Sequence, residues 1–224
     1  GFYENGISGN RDARELGVNF ELDTALFYQN AAFSELRTPL KDRPISRLGN
    51  PELYKGPRLL LKRGVSRSGK KFGEIQARLA YHPFAFRDAI IGFRVDELSE
   101  DEQKILLGII SSSVAKYYHF LTCSAWGFRG NDIHADEHLT LPVRLTDHSD
   151  DHSEAKIRII NAVKHLSKSS DIRALSDRPN WQKIQESLDE AVFDLYELSD
   201  EQRDLIRDFC QVTLALFYSG SNAR

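Results

Sequence analysis

The chain has 224 residues, 41% of them hydrophobic, and its 30 Lys and Arg residues nearly balance 33 Asp and Glu residues to leave a net charge of -3. No run of about 18 apolar residues occurs, which excludes a membrane-spanning helix, and the apolar content is too high for a wholly disordered chain. Cys123 and Cys210 lie far apart without metal-type spacing, so we predict reduced thiols in a cytoplasmic protein. The sequence contains no methionine, and we expect it to be a piece of a longer protein.

The net charge conceals a strongly basic segment. Residues 55–73 contain seven basic side chains and no acid, which leaves 23 basic and 33 acidic residues in the rest of the chain. Phosphate binding depends on the local potential and not on the total charge, so this segment is a candidate contact for nucleic acid. The alternative interpretation is a solvated, lysine-rich surface loop.

The first part of the chain predicts strands. Residues 1–56 have scattered apolar positions interrupted by prolines, a pattern typical of irregular structure and short strands. RLLLKRGV (58–65) is an apolar run between glycines that is too short for a helix and is therefore predicted as a strand. EIQARLAY (74–81) and DAIIGFRV (88–95) are predicted as the next two strands.

The pattern changes to helical at Ser99. Ser99 and Glu102 form a capping box, and apolar residues follow at helical spacing as far as Tyr118. The next segment, residues 124–143, is predicted as loop and short strand.

An acidic linker, RLTDHSDDHS (144–153), precedes three predicted helices at 154–168, 179–198 and 199–218. We therefore predict an α+β fold, with a mixed, sheet-containing domain over 1–146 and a helical C-terminal subdomain over 147–224.

Three patterns suggest catalysis, and we interpret all of them as structural. GVSRSGKK (64–71) nearly fits a P-loop, but Lys71 occupies the position of the magnesium-binding hydroxyl and a strand follows. HADEH (134–138) fits an inverted zinc-hydrolase motif, but no apolar helical face surrounds it, so we predict either a satisfied pair of loop histidines or a turn capped by Asp136 and Glu137. Cys123 has no ordered base near it in the sequence and is predicted to be a buried thiol. We therefore predict neither a catalytic residue nor a metal site.

The segment SAWGFRGNDI (124–133) is the most unusual of the remaining sequence. Arg and Asn are the side chains that read guanine and adenine with two hydrogen bonds, and aromatic rings stack on bases, so Trp126, Arg129 and Asn131 are candidates for DNA reading. In the alternative, Trp126 fills the core while Arg129 pairs with an acid.

Four stretches, taken together, resemble the C-terminal part of type IIG and Taq-like DNA adenine methyltransferases of restriction-modification systems. They are GPRLLLKRGV (56–65), ILLGIISSSVAKYYHFLT (105–122), SAWGFRGNDIHADEHLTLPV (124–143) and VFDLYELSDEQRDLIRDFC (192–210). That family has a helix of the type LLGILNSxLxxYY, a loop ending in LPV and a helical tail with YxLxxxExxLI. The chain departs from it at Ile110-Ser111-Ser112, where the family has LNS, and it lacks the catalytic NPPY motif.

The resemblance implies that residues 1–146 are a DNA target recognition domain. An upstream domain of the same parent would bind S-adenosylmethionine and methylate a flipped adenine. The chain itself would bind no cofactor, and its partners would be double-stranded DNA and the upstream methyltransferase domain, with no membrane. The resemblance leaves open whether the parent also cleaves DNA.

On this reading, basic side chains contact phosphates and fix the register without reading sequence. The predicted phosphate contacts are Arg58, Lys62, Arg63, Arg67, Lys70 and Lys71, and the predicted base readers are Ser66, Ser68, Trp126, Arg129 and Asn131. The alternative is a protein-protein interaction module of a restriction-modification or related defence complex, in which the basic segment has no role.

Overall fold

The protein has an α+β fold, as the sequence predicts, with small antiparallel sheets and helices. A computed structural model describes residues 3–4, 11–24, 27, 37–65, 73–127, 130–145, 152–168 and 181–221.

The N-terminal region is built from short strands and turns, which confirms the prediction for this part. Its first sheet has the order β1-β5-β2, and β3 pairs with β4. The strands are β1 (Tyr3–Glu4), β2 (Arg11–Asp12), β3 (Phe20–Leu22), β4 (Arg37–Pro39) and β5 (Pro44–Arg47). Short 3-10 helices cover Ala13–Leu16 and Pro51–Tyr54.

A central antiparallel sheet follows, and it confirms the three predicted strands. Its order is β7-β6-β8, with β6 at Arg58–Lys62, β7 at Ala77–Ala80 and β8 at Ile90–Arg94. Both faces of β6 are covered. Leu59 and Leu61 pack with the helices, whereas Leu60 packs with N-terminal residues. Burial on both faces explains why β6 reads as a continuous apolar run instead of an alternating one.

The predicted helix after Ser99 is divided in two. The Ser99–Glu102 capping box is present and begins α1 (Glu100–Ser111). Ser112 then has extended backbone angles, φ -82° and ψ 165°, and its side chain caps α2 (Ser113–Thr122). Serine hydroxyls compete for backbone hydrogen bonds, and Ser112 Oγ also donates to the carbonyl of Ile109 at 2.7 Å. The apolar spacing continues through this break, so periodicity alone did not reveal it.

A short helix, α3 (Ala135–His138), lies within residues 124–143, for which the sequence predicts loop and short strand. The helices that follow agree with the predicted tail. They are α4 (Ser153–Lys168), α5 (Trp181–Leu195), α6 (Asp200–Asp208) and α7 (Leu214–Ser221), with a π-helical turn at Phe209–Thr213 joining α6 to α7. The predicted Ser199–Gln202 capping box begins α6. Among the described residues, no helix is both long and apolar enough to cross a membrane.

Buried apolar side chains of the described residues form two clusters, one on each face of the central sheet. The larger joins Leu59 and Leu61 to residues of α1, α2, α4, α5 and α7, and the smaller joins Leu60 to Tyr54 and Phe86. Helices on both sides of residue 146 thus share one core. The predicted boundary, between residues 146 and 147, falls outside the described residues and stays a prediction.

Gly108 on α1 shows how closely the helices approach. A Cβ at this position would lie 2.4 Å from Cγ2 of Ile159 on α4, and 3.3 Å from side-chain atoms of Leu188 and Val163. The absent side chain therefore allows α4 and α5 to pack directly on the α1 backbone.

We expect Gly108→Ala to destabilise the protein by about 1 to 3 kcal/mol, because the added methyl must displace Ile159. Helix propensity alone predicts the opposite sign, since it favours alanine by about 1 kcal/mol. Urea unfolding followed by circular dichroism measures the difference. Ser111→Ala in the same helix is the matched control and should be neutral or slightly stabilising. Equal effects of the two variants would contradict close packing at Gly108.

Candidate nucleic-acid interface

The candidate interface begins where β6 ends. Beyond Lys62 the chain pairs with residues 131–133 of the segment 124–133, which we call the glycine-rich loop. The Val65 amide donates to the Asn131 carbonyl at 2.8 Å, and the Ile133 amide donates to the Arg63 carbonyl at 2.9 Å. At Arg63 and Val65, the basic segment is therefore hydrogen-bonded to the loop that the sequence singles out for its aromatic residues and arginine.

The basic segment returns to the same loop at Gly73. Gly73 has a φ of 70°, and a Cβ there would lie 2.8 Å from Cδ1 of Leu214 and 3.0 Å from the Trp126 ring. Only glycine combines this backbone angle with so close an approach. Five predicted contacts between these two ends fall outside the described residues: Ser66, Arg67, Ser68, Lys70 and Lys71.

The tip of the glycine-rich loop is closed by backbone hydrogen bonds. The Gly127 amide donates to the Gly130 carbonyl at 3.1 Å, and the Gly130 amide donates to the Ala125 carbonyl at 2.9 Å. Phe128 and Arg129 lie between these glycines, outside the described residues. The residues that flank 66–72 and those that flank 128–129 therefore meet at one place.

Trp126 lies in the core, and this corrects its assignment as a base reader. Its side chain is 2% exposed, and its Nε1 donates to the hydroxyl of Tyr218 at 2.8 Å. A buried indole presents no face to a base, so the alternative core-filling interpretation is the right one. The Tyr218 hydroxyl in turn donates to Oδ1 of the half-buried Asn131 at 3.0 Å. Asn131 thus holds the loop together.

Arg58 is also misassigned as a phosphate contact, because it is fully buried. Its guanidinium donates to the carbonyls of Gly56 at 2.8 Å, His82 at 2.9 Å and Phe84 at 3.3 Å. The guanidinium carbon also lies 4.3 Å from the centre of the Phe84 ring. Burial lowers the pKa of Arg58 to about 10, which leaves it charged at neutral pH. Its charge serves the interior of the N-terminal region and cannot reach a phosphate.

Lys62 and Arg63 stand at the exit of β6, where the predicted phosphate contacts begin. Burial lowers the pKa of the half-buried Lys62, and the nearby carboxylates of Glu74 and Asp132 partly oppose that shift. Arg63 keeps 37% of its side chain exposed, with Nε 3.9 Å from a carboxylate oxygen of Asp132. Their phosphate-binding role stays a prediction.

The HADEH segment forms a capped turn, in agreement with the structural interpretation. Glu137 accepts hydrogen bonds from the Ser124 amide at 2.7 Å, the Ser124 hydroxyl at 2.9 Å and the His134 amide at 2.8 Å. The carboxylate therefore fixes both ends of the loop 124–134. Among the described residues, no group of three His, Cys, Asp or Glu side chains is arranged to hold a metal ion.

His138 and His119 form a buried pair that sequence reasoning missed. Their ring centres lie 4.9 Å apart, edge to face. Burial lowers the pKa of His119 to about 4 and that of His138 to about 3, and for His138 the charge of His119 adds to this effect. Both imidazoles are neutral at pH 7.

Cys123 is the buried thiol that the sequence predicts, although it does have a base beside it. Its Sγ lies 3.5 Å from Nδ1 of His119. Burial raises the pKa of the Cys123 thiol to about 12, and the neighbouring Glu137 adds to the shift. A nucleophilic cysteine needs the opposite shift, so this pair is structural.

The chain matches no family model, and no curated protein is similar enough in sequence to be a relative. We therefore infer function from the residues and their placement. Of these, Tyr218 was not found by sequence reasoning, because it lies 92 positions from Trp126 and no motif connects the two.

The histidine pair predicts acid sensitivity. A histidine in the unfolded chain takes up a proton near pH 6.5, whereas in the folded chain His119 does so near pH 4 and His138 near pH 3. The free energy of unfolding therefore falls as the pH drops below 6.5. We expect each histidine to lower the free energy of unfolding by about 2 kcal/mol when the pH falls from 7 to 5. Urea unfolding across this range should show a shallower pH dependence for His138→Phe than for the wild type. His82→Phe, at an exposed position, is the control, and an unchanged dependence in His138→Phe would overturn the prediction.

Proposed function

We propose that the chain is the DNA target-recognition part of a restriction-modification adenine methyltransferase. The observation that carries the proposal is the meeting of two segments at one place. The sequence singles out residues 55–73 for their charge and residues 124–133 for their combination of glycine, aromatic residues and arginine. The two were chosen for different chemistry, yet Val65 and Asn131 join them by a backbone hydrogen bond of 2.8 Å. In a DNA-binding surface, the residues that bind phosphates must lie beside the residues that read bases.

Phosphate contacts come from the basic segment in this proposal. Arg58 is removed from the set, which leaves Lys62, Arg63, Arg67, Lys70 and Lys71. These cations fix the position of the duplex and supply affinity that depends on salt, but they carry no sequence information.

Base reading falls to Arg129, with Ser66 and Ser68 as further candidates. In the sequence Arg129 comes between Gly127 and Gly130, and the backbones of these two glycines are hydrogen-bonded to each other. Arginine is the side chain that most often reads guanine, through two parallel hydrogen bonds. Trp126 and Asn131 are reassigned from reading bases to holding this loop.

The parent enzyme supplies the chemistry in this proposal. The order of the four stretches between residues 56 and 210 supports an upstream domain that binds S-adenosylmethionine and methylates adenine. Such a domain must pull its target base out of the duplex, so a separate part is needed to hold the flanking DNA in register. Both would work in the cytoplasm, as part of bacterial defence.

A second candidate, the interaction module, is favoured by exposed apolar residues on the C-terminal helices. Leu205, Val212 and Leu216 are 52% to 65% exposed. Exposed apolar side chains in groups mark protein contacts. The two candidates differ in whether the chain binds DNA at all.

We expect Lys70→Ala combined with Lys71→Ala to weaken binding to all duplexes. The slope of log Kd against log salt concentration should also fall by about two. The loss of two phosphate contacts is the reason. Anisotropy titrations on random-sequence duplex DNA between about 50 and 200 mM salt measure it. The matched control is Lys164→Ala with Lys183→Ala, which removes two exposed charges from α4 and α5 and should leave the slope unchanged. Equal slopes in all three proteins would remove the basic segment from the interface, and no binding by the wild type at low salt would favour the interaction module.

Arg129→Ala should act on sequence preference instead. We expect it to relax the preference at one base pair by about 1 to 3 kcal/mol, because one two-point contact with a base is lost. Selection from a random duplex library defines the wild-type site, and competition with single base-pair changes measures the loss. Arg47→Ala, at an exposed position on β5, is the control. A uniform loss of affinity at every base pair in Arg129→Ala would argue against base reading.

A further inference from the structure

Tyr218 connects the end of the chain to the candidate interface. Its hydroxyl accepts from Trp126 Nε1 at 2.8 Å and donates to Asn131 Oδ1 at 3.0 Å. Trp126 and Asn131 lie on opposite sides of the loop tip, and Asn131 also binds the Val65 amide through its carbonyl. One buried hydroxyl thus connects both sides of the loop and, through Asn131, Val65 of the basic segment.

Apolar contacts from the same helix support this bridge. Leu214, one turn before Tyr218, contacts the position of Gly73 at the end of the basic segment, as does the ring of Trp126. Phe217 lies 5.4 Å from Phe120, ring centre to ring centre, and Phe120 lies 5.5 Å from Trp126. The helix α7 therefore contacts the start and the end of the loop tip and the end of the basic segment.

We propose that Tyr218 is a positioning residue that fixes Trp126 and Asn131 of the loop relative to Val65 and Gly73 of the basic segment, and so sets the sequence specificity of DNA binding. The specificity part of the proposal rests on the function proposed above, whereas the coupling of the two segments does not. Phosphates and base edges have a fixed separation in a duplex, so specificity requires a fixed separation between the side chains that contact them.

The proposal predicts that removing one atom, the hydroxyl oxygen of Tyr218, affects both segments together. Tyr218→Phe keeps the ring and its packing but leaves the Trp126 Nε1 hydrogen without its acceptor in the interior. Both segments should then open together. In hydrogen exchange with site-resolved detection, we expect the amides of Val65, Gly127 and Ile133 to exchange about tenfold faster. Tyr118→Phe is the matched control, since its hydroxyl donates to the Thr140 carbonyl at an exposed site and both residues are outside the two segments in sequence.

A second pair of variants tests the acceptor. Asn131→Asp keeps an oxygen that can accept from Tyr218, and protection should be retained, whereas Asn131→Leu removes the acceptor at similar volume and should reproduce the exchange of Tyr218→Phe. Faster exchange in only one of the two segments, or in neither, would overturn the coupling. Local opening also distinguishes a positioning role from general destabilisation, which would raise exchange in the central sheet as well.

The DNA measurement separates this inference from the function on which it rests. We expect Tyr218→Phe to lower affinity for the selected site about tenfold, with affinity for random duplex and its salt dependence unchanged, because the basic residues remain. Equal losses on both duplexes would overturn the role in specificity. Coupled exchange in a chain that binds no DNA would sustain the positioning role and reject the proposed function instead.

Discussion

The burial of β6 on both faces is the constraint on which the rest of the structure depends. Leu59 and Leu61 enter the helical cluster, and Leu60 enters the N-terminal cluster. A shift of one residue would exchange these faces and move the charged neighbours, Arg58 and Lys62, into the wrong core. The register of β6 is therefore fixed, and with it the point at which the basic segment leaves the sheet.

Burial also divides the basic residues of this segment into two kinds. Arg58 lies inside, where three carbonyls and an aromatic ring replace the water that a guanidinium loses on burial. Arg63, five residues later, keeps more than a third of its side chain in solvent. Both are arginines in the same charged segment, but Arg58 lies within β6, where packing covers it, whereas Arg63 follows the end of the strand.

The C-terminal helices are part of the candidate interface as well as of the core. Phe120 of α2 packs edge to face against Trp126 and Phe217 of α7 packs against Phe120, while Tyr218 satisfies the one polar atom of the indole. Glu137 stabilises the base of the loop, where its carboxylate accepts hydrogen bonds from the amides of Ser124 and His134. A glycine-rich loop has little structure of its own, so these contacts from distant helices stabilise its described residues.

The sequence by itself determined the local elements of this protein. The apolar run of β6, the capping boxes at Ser99 and Ser199 and the capped turn at Glu137 depend on residues within a few positions of one another, and each was predicted. The tertiary structure alone decided the break at Ser112, the burial of Arg58 and Trp126, the histidine pair and the bridge from Tyr218 to Asn131. These features depend on which distant groups share a core. Hydrogen bonding and desolvation act between neighbours in space, and the spacing of residues along the chain does not contain that information.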